Sequence, residues 1–228
     1  MNNILIIGAS GSIGSALLNK YQNLKSNNIT AISRSRLKDN SAVVEIIYDF
    51  NSEILPELPT DKKFDLVIFA TGHLYNETYK PEKSIRDFNA EAFAYSYRIN
   101  CIIPALLIKE LSQSFKEDTK IIFLSAKVGS ISDNQLGGWY AYRMSKTALN
   151  MMIKNLAIEL KRKYKNIIVC GLHPGTVASR LSSPFIGSVQ HEIFSPSQSA
   201  DYLIEVIENL TIDHSGKIYD YHSNEISP

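Results

Sequence analysis

The sequence lacks the features that assign a chain to a specialised class of protein. Its 228 residues include two cysteines and one tryptophan, and its formal net charge is +1. Such a balanced charge favours neither nucleic acid nor an acidic membrane as a partner. Cys101 and Cys170 lie within apolar runs, where a free thiol behaves as a small hydrophobic group. We therefore expect no disulfide and a cytoplasmic location.

Long hydrophobic runs, internal repeats and low-complexity tracts are missing as well. A run of only four apolar residues leads to Gly8, and no basic stretch precedes it, which predicts neither a signal peptide nor a membrane span. Apolar residues make up 44% of the chain and charged residues 21%, as in an ordinary soluble protein. The length suits one well-buried domain, so we predict a single domain over residues 1–228 and no metal site.

Short β-branched runs alternate with longer helical patterns along the chain. The runs are residues 4–7, 29–33, 43–47, 64–69, 121–125, 167–171 and, more weakly, 217–221. Several are apolar throughout, which is typical of strands covered by helices on both faces of a parallel sheet. The pattern predicts an α/β, doubly wound Rossmann fold with about seven parallel strands, whose ligands bind beyond the carboxyl ends of the strands.

A glycine-rich loop follows the first strand and opens a helix. Its glycines permit a tight turn and a close backbone approach, while the helix N-terminus offers free N–H groups to a pyrophosphate. The position between the first strand and the first helix makes this a strong sign of a dinucleotide. The predicted cofactor-binding residues in this loop are Gly8, Ser10, Gly11, Ser12, Ile13 and Gly14.

The residues after the next three strands extend this nucleotide site. An acidic residue after the second strand would suit NAD, but Arg34 stands there, with Arg36 close behind. A guanidinium suits a 2′-phosphate, so NADP(H) is favoured and NAD(H) is the alternative. After the third strand, Asp49 and Phe50 are predicted to border the adenine. After the fourth, the predicted ribose contacts are Ala70, Thr71 and Gly72.

A tyrosine and a lysine four residues apart provide the candidate chemistry. The spacing occurs three times, as Tyr21 with Lys25, Tyr79 with Lys83, and Tyr142 with Lys146. The first pair lies on a solvated face and the second contains a proline, whereas only the third begins a long apolar-periodic helix. Trp139 and Tyr140, just before the third pair, are predicted to pack the rim of the site.

Lys146 is predicted to activate Tyr142 from one helical turn away. A positive charge ~4 Å from a phenol lowers its pKa by roughly three units at an effective dielectric of ~20, before the cost of desolvation. The hypothesis is a hydride transfer to a substrate carbonyl carbon while Tyr142 donates a proton to its oxygen. Lys146 would also bind the nicotinamide ribose.

Asn100 is a third candidate, because Pro104 stands four residues later in a predicted helix over residues 99–108. Proline has no N–H to donate to the carbonyl of residue 100, so the helix is expected to bend there. A water could then bridge Asn100 to Lys146 and relay protons to Tyr142. A simple packing kink is the alternative.

The segment after the sixth strand is predicted to complete the site. Pro174 and Gly175 lead to Thr176 and Ser179, which are expected to contact the carboxamide and the phosphates, whereas His173 is expected to end the strand. Residues 179–196 then form either a lid over an apolar substrate or a packed surface loop. The apolar members of that segment are Leu181, Phe185, Ile186 and Phe194.

The helix that begins near Tyr140 carries two apolar stripes. One can pack on the sheet and comprises Leu149, Ile153, Leu156 and Leu160. The other needs cover from a second subunit or from a neighbouring helix of the same chain, and comprises Met144, Ala148 and Met151.

Taken in order, these motifs resemble the short-chain dehydrogenase/reductase family across nearly the whole chain. The shared features are the glycine loop, Asp49, residues 70–72, Asn100, Tyr142 with Lys146, and residues 174–179. Residues 125–130 and 133–143 resemble the branch that contains C-factor and the sniffer-type carbonyl reductases. The resemblance implies an NADP(H)-dependent reductase that acts on a carbonyl, commonly as a homodimer or homotetramer.

Three departures from the family pattern leave alternatives open. Ser12 replaces a usual glycine, as in longer sugar-nucleotide enzymes, although the chain is short for an epimerase or reductase of that kind. Residues 70–72, Ala-Thr-Gly, stand in place of the usual Asn-Asn-Ala-Gly. Ala126 stands where the family has the serine that polarises the substrate carbonyl, so Ser125 or Ser130 would have to substitute. A catalytically weak NADP-binding signal or sensor protein is therefore the alternative to a reductase.

Overall fold

A computed structural model describes residues 2–24, 26–37, 42–59, 61–185, 187 and 192–228. In chain order, the strands are β1 (Asn2–Ile7), β2 (Asn27–Ser33), β3 (Val43–Ile47), β4 (Phe64–Phe69), β5 (Phe115–Leu124), β6 (Ile168–His173), β7 (Thr176–Val177), β8 (Ile193–Phe194) and β9 (Ile218–Asp220). The helices are α1 (Ser12–Asn23), α2 (Ala90–Tyr97), α3 (Ile103–Glu110), α4 (Tyr140–Lys161) and α5 (Pro196–Asn209).

Seven of these strands form one parallel sheet in the order β3-β2-β1-β4-β5-β6-β9. Each lies on a run that the sequence predicts, and the doubly wound fold of a single domain is confirmed. The order of the strands reverses direction between β1 and β4, and a sheet of this kind opens a crevice at the carboxyl ends of the two strands where that happens. The residues that follow β1 and β4 therefore border the same crevice.

The strand side chains alternate between two cores, one on each face of the sheet. In β1, Leu5 and Ile7 face the side covered by α3 and α4, while Ile4 and Ile6 face α1 and α5. All four are essentially inaccessible to solvent. Burial of each such side chain contributes about 1.5–3 kcal/mol, so the continuous apolar runs hold helices against both faces.

The predicted helix over residues 99–108 is part of a longer and irregular one. It begins at Ala90 as α2, passes through a π-helical turn at Arg98–Ile102 and continues as α3. In that turn the N–H of Ile103 donates to the carbonyl of Arg98, five residues back. Pro104 follows with no N–H of its own. The predicted irregularity is present, but the helix starts nine residues earlier than predicted.

One apolar stripe of α4 packs on the sheet and the other stays open. Leu149 and Ile153 are buried in the core beneath α4. Met144 and Met151 remain 46% and 61% exposed, so no neighbouring helix of the described chain covers them. Separately, none of the helices within the described residues is long and apolar enough to cross a membrane.

Candidate active site

The glycine loop between β1 and α1 has the geometry that only glycine permits. Gly8 has a φ of +89°, and a Cβ there would lie 2.9 Å from the backbone carbonyl of Ala70. A Cβ on Gly14 would lie 2.2 Å from the carbonyl oxygen of Gly8. α1 begins at Ser12 directly after Gly11, which has no side chain to cap it. The first N–H groups of α1 are therefore available to an anion at this loop.

A cavity opens beside this loop at the carboxyl ends of β1, β2 and β4, and we call it the nucleotide cavity after the ligand that the sequence predicts there. Arg34 is exposed at one side of the cavity, and the buried ring of Phe50 forms another part of the wall. Its lining residues are Gly8, Ser10, Gly11, Arg34, Phe50, Asn51, Ala70, Thr71, Gly72, His73, Tyr95 and Ile99. A backbone cradle, an uncapped helix N-terminus and a guanidinium fit a dinucleotide with its phosphates.

Asp49 lies outside this lining, although the sequence pairs it with Phe50. Its carboxylate accepts the N–H of Asn51 at 3.0 Å, which closes a local turn after β3. Ser12, Ile13 and Gly14 also lie outside the lining, in the first turn of α1.

Tyr142 and Lys146 lie on the same face of α4, with the Nζ of Lys146 6.0 Å from the centroid of the Tyr142 ring. The same Nζ donates to the carbonyl oxygen of Leu124 at the end of β5, at 2.8 Å. A Cβ on Gly72 would lie 3.9 Å from it. The lysine therefore reaches the carboxyl ends of β4 and β5, next to the nucleotide cavity.

The prediction that Lys146 lowers the pKa of Tyr142 is wrong. Burial raises the pKa of Tyr142 to about 12 and lowers the pKa of Lys146 to about 8, with nearby Cys101 partly opposing the second shift. Lys146 is only 2% exposed, so desolvation penalises its charge as well as that of a phenolate. The ammonium lies 6.0 Å from the ring centroid and donates a hydrogen bond to a carbonyl. Its attraction for a phenolate therefore does not outweigh the cost of desolvation.

The side chain of Asn100 joins the loop after β4 to α4. Its Oδ1 accepts the N–H of His73 at 2.7 Å, and its Nδ2 donates to the carbonyl of His73 at 2.8 Å. The same Nδ2 donates to the hydroxyl of Ser145 at 2.9 Å, one residue before Lys146. Because Asn100 is 1% exposed, these bonds are protected from water and hold the two segments in register.

The two serines predicted to replace the hydroxyl missing at Ala126 are engaged elsewhere. Ser125 donates its hydroxyl to the Oδ1 of Asn150 at 2.6 Å. The hydroxyl of Ser130 accepts the N–H of Asp133 at 3.1 Å, and Ser130 lines a separate groove along the exposed stripe of α4. The structure therefore does not bring Ser130 to the nucleotide cavity.

The segment from Pro174 to Ser179 follows β6 at the same edge of the sheet but outside the cavity lining. Gly175 has a φ of +77°, and a Cβ there would lie 2.6 Å from the ring of Phe194. The carbonyl of Pro174 accepts the hydroxyl of Ser199 at 2.8 Å. Ser179 pairs with the hydroxyl of Ser182, its N–H donating at 3.1 Å.

The predicted lid over residues 179–196 has an anchored base. β7, which contains Thr176, pairs with β8 as a small parallel sheet that the sequence did not predict, and the N–H of Ala178 donates to the carbonyl of Phe194 at 2.8 Å. Ile186 and residues 188–191 lie outside the described residues, as does Lys25 of the first Tyr-x-x-x-Lys match.

The sequence did not predict the role of Glu82, which caps the start of α4. Its Oε2 accepts the N–H of Ala141 at 3.2 Å, and its backbone carbonyl accepts the N–H of Trp139 at 2.6 Å. The residue before α4 is Trp139, which has no side-chain oxygen to cap the helix. A carboxylate at a helix N-terminus supplies that cap and complements the dipole. The missing local cap was the only signal in the sequence.

His73 was also missed, and it lines the nucleotide cavity. Its ring stands edge-on to Tyr95, with the centroids 4.6 Å apart. Burial, with a smaller contribution from the positive charge of Arg34, lowers the pKa of His73 to about 4. The imidazole is therefore neutral at neutral pH and does not add charge to the cavity.

Comparison with known proteins finds one family profile over more than half of the chain. The profile of the short chain dehydrogenases matches residues 57–186. The chain is 28% identical over 225 residues to the 1-hydroxy-2-glutathionyl-2-methyl-3-butene dehydrogenase of Rhodococcus sp. (strain AD45), with 95% of each chain covered. It is 26% identical over 145 residues to the C-signal of Myxococcus xanthus, covering 63% of this chain and 82% of that protein.

Solved structures with the same fold include two carbonyl reductases. The carbonyl reductase Sniffer of D. melanogaster superposes with a TM-score of 0.80 at 21% identity, covering all of both chains. The NADPH-bound carbonyl reductase from chicken fatty liver also gives a TM-score of 0.80, at 19% identity, covering 100% of this chain and 99% of that one. At these identities the likeness establishes the fold.

Proposed function

The chain belongs to the short chain dehydrogenase family, and from that premise we propose that it is an NADPH-dependent reductase that converts a small or apolar ketone or aldehyde to an alcohol. One observation carries the proposal. Tyr142 and Lys146 share the face of α4 that reaches the ends of β4 and β5, beside the nucleotide cavity. A proton donor and a cation thus lie next to a candidate hydride source.

When bound, the nicotinamide dinucleotide supplies the hydride. The glycine loop and the N-terminus of α1 bind its pyrophosphate, and Arg34 binds the 2′-phosphate that distinguishes NADP(H) from NAD(H). Support for NADP(H) comes from the position of Arg34 in the cavity wall and from the NADPH-bound reductase of the same fold. The further proposed contacts are Asp49, Phe50, Ala70, Thr71, Gly72, Pro174, Gly175, Thr176 and Ser179.

Tyr142 donates the proton to the carbonyl oxygen of the substrate. A phenol whose pKa is raised to about 12 is fully protonated at neutral pH, so it holds the proton that carbonyl reduction requires. Lys146, with its pKa lowered to about 8, is mostly protonated at pH 7 and stabilises the phenolate that donation leaves behind. Asn100 acts as a positioning residue through its bonds to His73 and Ser145.

A second candidate function is a catalytically weak NADP-binding signal or sensor protein. Two observations favour it: Ala126 lacks the hydroxyl that would polarise a carbonyl, and the chain is similar to the C-signal of M. xanthus. In the reductase, Ser125 supplies that hydroxyl after releasing Asn150, or Ser130 does so after a larger rearrangement.

The assembly and location of the protein complete the proposal. The exposed stripe of Met144 and Met151 supports a homodimer or homotetramer. Residues 179–196 act as a lid over the substrate. The cytoplasmic location predicted from Cys101 and Cys170 stays a prediction, and both thiols are free.

Oxidation of NADPH and of NADH with a panel of aldehydes and ketones tests the function, with nucleotide binding measured in parallel by calorimetry. The reductase predicts turnover with at least one carbonyl and a preference for NADPH. Tight binding of NADPH with no turnover on any carbonyl would support the sensor instead.

A further inference from the structure

Four aromatic rings form a continuous row that leads away from the proposed proton donor. The row is Tyr142, Trp139, Phe185 and Tyr75. Centroid distances along it are 6.3 Å, 5.0 Å and 5.6 Å, and each pair is edge-on or tilted. Every member is only half-buried, so ring surface remains available to a ligand.

Trp139, the second ring of the row, occupies a backbone conformation that a bulky side chain rarely adopts. Its φ is 50° and its ψ is 42°, in the left-handed region, directly after two glycines that also have positive φ. Such strain persists only where the surroundings hold it, and it concentrates at functional sites. Glu82 holds this one, because its carbonyl accepts the N–H of Trp139 and its buried carboxylate accepts the N–H of Ala141.

The outer two rings come from two other segments of the chain. Tyr75 lies in the loop after β4, and its hydroxyl donates to the carbonyl of Arg180. This bond ties the loop after β4 to the segment that carries Phe185. Leu181 in the same segment comes within 4.0 Å of a Cβ on Gly72, so this segment reaches the loop after β4.

The charges near the row disfavour a cationic ligand. The ammonium of Lys146 lies at the inner end, near Tyr142, and that of Lys80 lies 5.5 Å from the centroid of Tyr75 at the outer end. Between them the row presents aromatic carbon. Such surfaces select flat rings by edge-on and offset contacts, in addition to simple burial of apolar area.

We propose that the substrate is an aryl carbonyl, in which the reacting carbon is bonded to a flat aromatic ring, and that Trp139 is the residue that selects for that ring. The proposal rests on the reductase function argued above, and it narrows the substrate class of the same site. Glu82 is the positioning residue that holds Trp139 beside Tyr142.

Benzaldehyde and cyclohexanecarbaldehyde form a matched pair, because they have the same carbon skeleton and differ in aromaticity. The quantity to measure is the ratio of their kcat/KM values with NADPH, in the wild-type enzyme and in two variants. In Trp139→Asn, whose new side chain tolerates the left-handed backbone, the ratio should fall about five- to tenfold, as for the loss of one or two ring contacts. In Trp139→Phe it should change by less than about threefold. Intrinsic reactivity cancels when ratios are compared.

Two further variants locate the effect. Phe185→Leu should lower the ratio about threefold, since it removes a ring and keeps an apolar side chain. Tyr164→Leu, which removes a ring just beyond the far end of α4, should leave the ratio unchanged. An unaltered ratio in Trp139→Asn and Phe185→Leu overturns the proposal, as does an equal fall in Tyr164→Leu.

Ligand binding can be followed without catalysis because Trp139 is the only tryptophan in the chain. In the Tyr142→Phe variant with NADP⁺ present, benzyl alcohol should change the Trp139 emission at lower concentration than cyclohexylmethanol does. Benzyl alcohol is the less apolar of the two, so this order cannot arise from burial alone. Preferential benzyl alcohol binding in a protein that reduces no carbonyl would remove the reductase function and keep the aromatic site. Turnover with no preference for the aryl compound in either assay would keep the reductase function and overturn the aromatic site.

Discussion

The crevice has a nucleotide end, at the glycine loop, and a reacting end, at Tyr142 and Lys146. The two ends are constructed by different means. At the nucleotide end, the loop after β1 depends on close approach of its own backbone, as where a Cβ on Gly14 would meet the carbonyl oxygen of Gly8. At the reacting end, side chains meet across long stretches of sequence. Glu82 caps a helix 59 residues later, and Asn100 bonds to Ser145, 45 residues later. Damage to the first end should therefore affect nucleotide binding, and damage to the second should affect turnover.

The largest expected effect on the nucleotide end comes from Gly14→Ala. The new Cβ would lie 2.2 Å from the carbonyl oxygen of Gly8, so the loop must shift. Overpacking of this kind costs about 1–3 kcal/mol, and we expect the Kd for NADPH, measured by calorimetry, to rise about 50-fold. Gly11→Ala, where the closest contact is 3.2 Å, should have a smaller effect. Equal affinity for NADPH in Gly14→Ala and the wild type would contradict the proposal that this loop binds the pyrophosphate.

Arg34→Leu should separate the two cofactors. A charge-assisted bond to a 2′-phosphate contributes about 1.5–3 kcal/mol, so kcat/KM for NADPH should fall at least about tenfold while that for NADH stays the same. Arg36→Leu is the matched control, because Arg36 is exposed and lies outside the cavity lining. Parallel losses for both cofactors would show that Arg34 does not read the phosphate.

Glu82→Ala should damage the reacting end alone. The buried N–H of Ala141 loses its acceptor and the N-terminus of α4 loses a negative charge, so the free energy of unfolding should fall by about 2 kcal/mol in denaturant titrations. Because α4 carries Tyr142, kcat should fall severalfold while NADPH binding is retained. Glu82→Gln keeps an acceptor and should lose about half as much stability. A loss of NADPH affinity in Glu82→Ala would show that the two ends of the crevice are coupled, which contradicts the distinction between them.

The smallest effect is the pH dependence of turnover. The pKa of Lys146 is lowered from 10.5 to about 8, so kcat should decline as pH rises through about 8, whereas NADPH affinity should not follow the same curve. The contribution of Lys146 to the stability of the fold should change with pH in the direction opposite to kcat. Between about 8 and 10.5 the unfolded chain binds more protons at this lysine, so its contribution to folding becomes more favourable with pH. Lys146→Met should remove both dependences.

The sequence predicted the glycine loop and the strands because the determinants of both are local. The order strand, glycine loop and helix specifies both the turn at Gly8 and the open N-terminus of α1, and the apolar runs specify the seven strands. An irregularity of the helix near Asn100 was predicted for the same reason, since Pro104 acts on a carbonyl four residues away. Its π-helical form depends on packing that a local pattern does not contain.

The reacting end was predicted only in part. The shared face of Tyr142 and Lys146 follows from helical spacing, but the direction of the pKa shift of Tyr142 does not, because burial depends on the whole fold. Glu82 and the pairing of β7 with β8 also escaped prediction, as did His73 in the wall of the nucleotide cavity. Each depends on residues that are distant in sequence and carry no motif.

The central claim is that Tyr142 supplies the proton during hydride transfer from bound NADPH. Single-turnover oxidation of NADPH by an accepted carbonyl, in the wild type and in Tyr142→Phe, tests it most directly. The account predicts a rate about a thousandfold lower in the variant, with the Kd for NADPH unchanged within about twofold. A single-turnover rate in Tyr142→Phe close to that of the wild type would contradict it.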